Sequence, residues 1–271
     1  MSDRDHELVD ILDEVWTSIE TFAEDLREDE WKRSTELPGW TVQDNLVHIS
    51  AVESMSLGRP WRDHEASNLS HVRNEVGTSN EHAVDSRRTW SGTEALAEFH
   101  VLTRERLAGL RALDEDGFGA DSWTPVGPGT VRDLLPFRVF DSWVHEQDMR
   151  RAVQQPGDLD SRAAQLTHAM IADAMPYVVG KKVAPPEGST VVFSVTGVVP
   201  RDLALQIVGG RAAKVEGVAE PTVRLTMDGV TFERVACGRV APRAALAAHE
   251  VRIDGDAALG RRVLDEMNYL F

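Results

Sequence analysis

The first half of the chain repeats its apolar residues at the spacing of amphipathic helices. Residues three or four positions apart lie on the same face of a helix, so each repeat predicts a helix with one buried stripe. The repeats predict four long helices, at residues 5–28, 42–57, 92–113 and 131–153. The mixed stretch at residues 58–90 predicts a long loop with a short helix.

Capping signals mark the starts of three of these helices. A Ser or Thr followed three residues later by an acidic residue forms a capping box. The pattern occurs at Thr41–Asp44, Ser91–Glu94 and Thr130–Asp133. Pro136 lies in the first turns of the last helix and is expected to kink it or to stagger its start. Four long helices joined by loops predict a four-helix bundle over residues 1–155.

The second half of the chain has a different pattern. Residues 161–175 still have helical spacing, but the later runs TVVFSVTG, DLALQIVGG and PTVRLTMDG alternate or run apolar and end in turn residues, as strands do. Helical stretches near 229–237 and 256–268 flank a short strand around 251–253. These features predict a small α+β domain over residues 156–271, so the chain as a whole is predicted to be α+β.

Composition narrows the classes of function. A chain of 271 residues that is 42% hydrophobic can bury the core of two domains. Its net charge of -16 disfavours nucleic acid and anionic membranes as partners, since both bind clustered Lys and Arg. The acidic N-terminal segment lacks the apolar core of a signal peptide, and no run is long and apolar enough to span a membrane. A single cysteine, Cys237, allows no intrachain disulfide and predicts a cytoplasmic location.

Candidate metal ligands are spaced as a helix would place them. Asp141 and His145 are four residues apart and therefore share one face of the last bundle helix. His48, on the second helix, can supply a third ligand, and three protein ligands leave one position open, as catalytic zinc sites do. The alternative is a surface hydrogen bond between the helical pair. Asp44 and Asp148 are further candidate ligands, although the capping position of Asp44 favours a structural role.

Other sequence features support no competing chemistry. His145 and the following Glu lack the second His of a zincin motif, and no glycine-rich phosphate-binding loop occurs. The pair Gly209-Gly210 predicts a turn, and Cys237 is predicted to be a buried core residue rather than a nucleophile. Arg239 is a candidate for binding the carboxylate of an anionic substrate, with a plain surface Arg as the alternative. Two tryptophans near the ligand segments, Trp40 and Trp143, are expected to shape the pocket wall.

Three segments carry a family resemblance: LPGWTVQDNLVHISAVE, RNEVGTSNE and RVFDSWVHEQDMRRA, all within residues 35–155. They resemble the mycothiol-dependent maleylpyruvate isomerase family, whose N-terminal half belongs to the DinB-like metal-binding bundles. The C-terminal region, which ends in VRIDGDAALGRRVL, is similar to the sterol-carrier-like partner domain of that family. The resemblance implies a bundle with a metal triad at His48, Asp141 and His145. The usual carboxylate of the family is Glu, so Asp141 reaches roughly 1.5 Å less far, which requires a closer helix or a bridging water.

The resemblance also implies a reaction. A divalent metal would hold mycothiol, the low-molecular-weight thiol of actinobacteria, as the attacking thiolate. Zn(II) suits the ligands best, and Fe(II), Co(II) or Ni(II) also fit. The enzyme would act on a small electrophilic substrate as an isomerase or an S-transferase, with Arg239 completing the active site from the second domain. The alternatives are a non-catalytic protein that binds metal or a small ligand and, more remotely, an iron oxygenase. The sequence does not give the oligomeric state.

Overall fold

The computed structural model of the protein describes residues 3–59 and 64–270. The chain divides into two compact units, Met1–Leu166 and Thr167–Phe271. The domain boundary near residue 155 stays a prediction. Within the predicted loop at residues 58–90, residues 60–63 lie outside the part of the chain that the structure describes.

The first unit is built on four long helices, which confirms the helical prediction for this half. Helices α1 and α3 each pack against α5 and α7, and their apolar stripes meet in the bundle core. In chain order the elements are α1 Asp3–Glu24, α2 Glu28–Trp31, α3 Val42–Ser56, α4 Glu75–Asp85, α5 Gly92–Arg111, α6 Glu115–Phe118, β1 Asp121–Thr124, β2 Gly127–Thr130 and α7 Val131–Val153. Helix α4 is the short helix predicted between the second and third long ones.

The predicted capping boxes are present at α3, α5 and α7. At α3, for example, the Thr41 hydroxyl accepts from the Asp44 amide, and the Asp44 carboxylate accepts from the Thr41 amide at 2.8 Å. These bonds satisfy amide groups that have no partner within the helix. Helix α7 runs without a break across Pro136.

The second unit is a five-stranded sheet with helices, as expected for an α+β domain. Its strand order is β5-β4-β3-β6-β7, in which β3 and β6 are parallel and the other neighbours are antiparallel. The elements after α7 are α8 Arg162–Tyr177, a π-helical turn Val178–Val183, β3 Thr190–Thr196, β4 Arg201–Val208, β5 Arg211–Val215, β6 Val223–Asp228, α9 Gly229–Ala236, α10 Pro242–Ala247, β7 Val251–Gly255 and α11 Ala257–Glu266. The predicted fold class is therefore confirmed.

Two smaller predictions in the second unit are also confirmed. Gly209 and Gly210 form the turn between β4 and β5, and their φ angles of 60° and 73° are those of a type I′ hairpin turn. Cys237 is buried at the end of α9. Among the residues described, none of the helices is long and apolar enough to cross a membrane.

Candidate metal centre

The structure brings His48, Asp141 and His145 together from two helices of the first unit. Helix α3 carries His48, and α7 carries the other two residues one turn apart. The Nε2 atom of His48 lies 3.4 Å from Oδ1 of Asp141, and Nε2 of His145 lies 3.5 Å from the same oxygen. All three donor atoms lie within 4.8 Å of one another.

These separations suit a metal ion. In a tetrahedral zinc site with bonds of about 2.0–2.1 Å, neighbouring donor atoms are about 3.3 Å apart. The two distances to Asp141 are close to that value. The shorter Asp side chain therefore reaches both imidazoles directly, because α3 and α7 pack closely enough here. A donor set of two imidazoles and one carboxylate suits Zn(II) and the neighbouring divalent transition metals.

The hydrogen bonds around His145 leave its Nε2 atom available to a metal. Nδ1 of His145 lies 2.7 Å from Oδ1 of Asn45, on helix α3. The Asn45 amide nitrogen donates to the carbonyl of Thr41 at 2.8 Å, so its oxygen is the atom that faces the imidazole. An amide oxygen only accepts, which requires that Nδ1 carry the hydrogen. In the neutral ring the lone pair is then on Nε2, which faces Asp141.

His48 and its neighbour Trp40 form the other side of the cluster. His48 is buried, and its ring centroid lies 4.7 Å from that of His145. Trp40 packs against both imidazoles, at centroid distances of 5.2 and 5.9 Å. Its indole nitrogen donates to the buried carboxylate of Glu81 at 2.8 Å, which fixes the ring. Trp40 therefore forms a wall of the site, as its position in the sequence led us to expect.

Arg138, which belongs to a buried ion-pair network, holds the remaining ligand. Nη1 of Arg138 donates to Oδ2 of Asp141 at 2.8 Å, and Nε of the same guanidinium donates to Glu53 at 2.6 Å. Arg106 lies 3.4 Å from the other oxygen of Glu53. Burial acts to raise the pKa of Asp141, but the charges of His48, Arg138 and His145 hold it well below its ordinary value. The carboxylate is therefore ionised, as a metal ligand must be.

The two imidazoles have opposite pKa shifts. Burial lowers the pKa of His48 more than Asp141 raises it. Burial also acts to lower the pKa of His145, but Asp141 and Asp148 outweigh it and raise the pKa. Asp148 acts from the outer side of the ring, where its Oδ2 atom lies 3.4 Å from Nδ1 of His145. A second carboxylate therefore distinguishes the surroundings of His145 from those of His48.

The two further candidate ligands, Asp44 and Asp148, make other contacts in the structure. Asp44 accepts the capping bonds of Thr41 at the start of α3, as its position predicted. Asp148 is fully buried and accepts from Arg151 at 2.6 Å, so it supports His145 from the side away from the cluster. Arg239 belongs to the second unit, where its guanidinium donates to the carbonyl of Cys237 at 2.7 Å. Its proposed role in substrate binding stays a prediction.

The sequence reasoning missed three polar residues that orient the ligands: Asn45, Glu53 and Arg138. Arg138 precedes Asp141 by three positions on one helix, a spacing that places both on one face and was a usable signal. Asn45 precedes His48 by three in the same way. Glu53 lies on the α3 face toward α7, and no spacing rule links it to its partner Arg138, 85 positions later.

Known proteins share this fold. Residues 12–150 match the family described as the mycothiol maleylpyruvate isomerase N-terminal domain. The crystal structure of the mycothiol-dependent maleylpyruvate isomerase is similar with a TM-score of 0.57 and 13% sequence identity, covering 94% of this chain and 96% of that chain. The crystal structure of a mutant of that enzyme gives a TM-score of 0.56 and 12% identity over the same shares. No curated protein sequence matches the chain.

The fold and the site together define a two-unit α+β protein whose helical bundle carries a candidate centre of two imidazoles and one carboxylate. The family match extends over more than half of the chain and includes all three residues of this centre. The chain belongs to the mycothiol maleylpyruvate isomerase N-terminal domain family.

Proposed function

We propose that this protein is a metal-dependent enzyme that uses mycothiol as a nucleophile, and that the reaction is a cis–trans isomerisation of a small unsaturated acid. The observation that carries the proposal is the convergence of His48, Asp141 and His145, with the lone pair of His145 facing the carboxylate. The family match supports mycothiol as the thiol and isomerisation as the reaction. Maleylpyruvate, named in the match, is the first substrate to test.

The residues of the chain have separate tasks in this proposal. His48, Asp141 and His145 would hold the ion, and Trp40 would close one side of the site. A bound Zn(II) ion would supply the acidity that keeps a thiol deprotonated at neutral pH. The thiolate would add to one carbon of the cis double bond, and the electron pair of that bond would pass to the conjugated carbonyl group. Rotation about the resulting single bond and loss of the thiolate would give the trans isomer, with the thiol regenerated.

Two residues of the second unit, Cys237 and Arg239, are not metal ligands in this proposal. Cys237 is buried in the second unit and is expected to be dispensable, since the nucleophile is an added thiol. Arg239 is proposed to bind a carboxylate of the substrate, because a guanidinium can form two parallel bonds to that group. Replacing Arg239 by Gln is expected to raise KM more than it lowers kcat.

We also propose a cytoplasmic location, which the single cysteine supports.

The decisive experiment combines metal analysis with turnover. Purified protein loaded with Zn(II) is assayed on maleylpyruvate with and without mycothiol, alongside His48→Ala and Cys237→Ala. His249→Asn is the matched control, because His249 is an exposed histidine of the second unit and Asn tolerates its positive φ. We expect His48→Ala to lose both metal and turnover, and the other two variants to keep both.

The outcomes separate the candidate functions. Activity that does not depend on added mycothiol, or that is lost in Cys237→Ala, contradicts the proposed nucleophile. A product that retains the thiol identifies an S-transferase. Bound metal without turnover on any electrophile supports the non-catalytic alternative, in which the bundle only binds a metal or a small ligand. Full metal occupancy in His48→Ala rules out the proposed ligand set.

A further inference from the structure

The two carboxylate oxygens of Asp141 have different neighbours. Oδ1 lies 3.4 Å from Nε2 of His48 and 3.5 Å from Nε2 of His145, so it faces the space between the imidazoles. Oδ2 accepts a hydrogen bond from Nη1 of Arg138 at 2.8 Å. A charge-assisted bond of this length fixes the orientation of the carboxylate and takes one of the two lone pairs of its second oxygen.

Arg138 is itself held firmly in place. It lies three residues before Asp141 on α7, and its Nε atom donates to Oε1 of Glu53 at 2.6 Å. The side chains of Arg138 and Glu53 are 5% and 0% exposed. A buried guanidinium bonded to carboxylates on two helices has little freedom to rotate, so it can impose one orientation on Asp141.

We propose that Arg138 is a positioning residue that keeps Asp141 a ligand through Oδ1 alone and thereby keeps a metal position open for the thiol. The inference rests on the proposed function. A carboxylate can bind a metal through one oxygen or through both, and a second bond from Asp141 would fill the position that an exogenous ligand needs. Catalytic zinc sites depend on such an open position. Arg138 opposes the second bond because it holds the carboxylate in the orientation in which Oδ1, and not Oδ2, faces the imidazoles.

Arg106 provides a matched control for this test. It pairs with Glu53, as Arg138 does, through the other oxygen of the same carboxylate at 3.4 Å. Within the described residues, its ion-pair partner is Glu53 and not Asp141. Arg106→Gln therefore removes a positive charge from the same buried network without releasing Oδ2 of Asp141, whereas Arg138→Gln does both.

The experiment loads the protein and both variants with Co(II), whose visible absorption is more intense in four-coordinate sites than in five-coordinate ones. Mycothiol is then titrated, and its affinity is read from the thiolate-to-Co(II) charge-transfer band. For Arg138→Gln we expect weaker visible bands before thiol is added and roughly ten- to a hundredfold weaker mycothiol binding. For Arg106→Gln we expect the spectrum and the thiol affinity of the unmodified protein.

A second variant covers the case in which Arg138→Gln does not fold. Arg138→Lys keeps the buried positive charge beside Glu53. However, it replaces the planar guanidinium, which can donate to Glu53 and Asp141 at once, by a single ammonium group. We expect it to fold, by circular dichroism, and to show weakened mycothiol binding in the same direction as Gln. Co(II) spectra and thiol affinities that equal those of the unmodified protein in every Arg138 variant that folds would overturn the inference alone. An unmodified protein that binds no Co(II) would overturn the proposed function and this inference with it.

Discussion

The hydrogen bond between Asn45 and His145 determines which nitrogen of His145 can bind a metal. Its side-chain oxygen accepts from Nδ1 at 2.7 Å, and its own amide nitrogen is bonded to Thr41. We predict that Asn45→Leu weakens Zn(II) binding by roughly ten- to a hundredfold, because outer partners of ligating histidines orient the ring and fix its tautomer. Competition with a chromophoric chelator measures this affinity.

Asn45→Asp is the matched comparison for that prediction. Its carboxylate can still accept from His145, although it cannot donate to Thr41 as Asn45 does. We therefore expect Asn45→Asp to bind Zn(II) more tightly than Asn45→Leu. Equal losses in the two variants would mean that Asn45 acts by packing rather than by accepting the proton of His145.

At the scale of single residues, the candidate ligands were easier to predict than their supports. Asp141 and His145 are spaced to share one face of one helix, His48 was a third candidate from the second helix, and the resemblance implied the same three residues. Asn45 and Glu53 act across the α3–α7 contact, so their roles depend on how the two helices are rotated about their axes. A single sequence specifies that a face is buried, but it does not specify which polar groups of two such faces meet.

At the scale of elements, Asp44 could either cap helix α3 or bind a metal, and its contacts are those of a cap. Asp44 accepts from the Thr41 amide and hydroxyl, both at 2.8 Å, and it lies outside the three-residue cluster. We predict that Asp44→Ala lowers the free energy of unfolding by about 1 kcal/mol and leaves Zn(II) occupancy unchanged. Urea unfolding and metal analysis of one preparation test both statements.

Thr41→Ala is the control for the capping role, because it removes the other half of the same box. The expected loss of stability is again about 1 kcal/mol, with full metal occupancy. If Asp44→Ala loses metal while Thr41→Ala keeps it, Asp44 is a ligand and the capping explanation is insufficient.

Substituting alanine at two glycines of α5 is expected to have opposite effects on stability. A Cβ atom on Gly92 would overlap the ring of the buried Trp31, whereas one on Gly109 would meet nothing within 4 Å. We predict that Gly92→Ala lowers the free energy of unfolding by roughly 1–3 kcal/mol through overpacking. Gly109→Ala should raise it by about 0.5–1 kcal/mol, since alanine is the better helix former. Thermal unfolding of both variants measures the difference, and a stabilised Gly92→Ala would contradict the packing argument.

Long elements were more predictable than the shortest ones. The four bundle helices have several apolar turns each, and three have capping boxes, so their periodicity is clear. Helices α2 and α6 have four residues each, as do strands β1 and β2, which is too short for any period to emerge. Strand β5, with the sequence RAAKV and no fully buried residue, lies at the sheet edge and lacks the apolar alternation of its neighbours.

At the scale of the whole molecule, acidification has two opposing effects on stability. The chain carries a formal net charge of -16, so protonation of carboxylates relieves self-repulsion as the pH falls. His168, on α8, acts in the opposite direction. It is 4% exposed, and burial, with a smaller effect of the Arg201 charge, lowers its pKa from 6.5 to about 4.

The sign of the histidine effect follows from proton binding. Between pH 6.5 and about 4 the unfolded chain takes up a proton at His168 that the folded chain does not. Stability rises with pH wherever the unfolded state binds more protons, so this group makes the free energy of unfolding fall as the pH is lowered through that window. The slope from one proton is at most about 1.4 kcal/mol per pH unit.

We therefore predict that His168→Gln lowers the slope of the unfolding free energy against pH between pH 6.5 and about 4, because it removes the one contribution of His168 that makes stability fall on acidification, even if it lowers stability at neutral pH. The measurement is urea unfolding across this window, followed by circular dichroism, because every Trp precedes residue 167 and its fluorescence reports on the first unit. His249→Asn, at an exposed position, should keep the slope of the unmodified protein. Carboxylates titrate in the same window, but they do so equally in all three proteins, so the difference between slopes isolates the histidine. Equal slopes in the unmodified protein and His168→Gln would show that burial does not keep this imidazole neutral in the folded state.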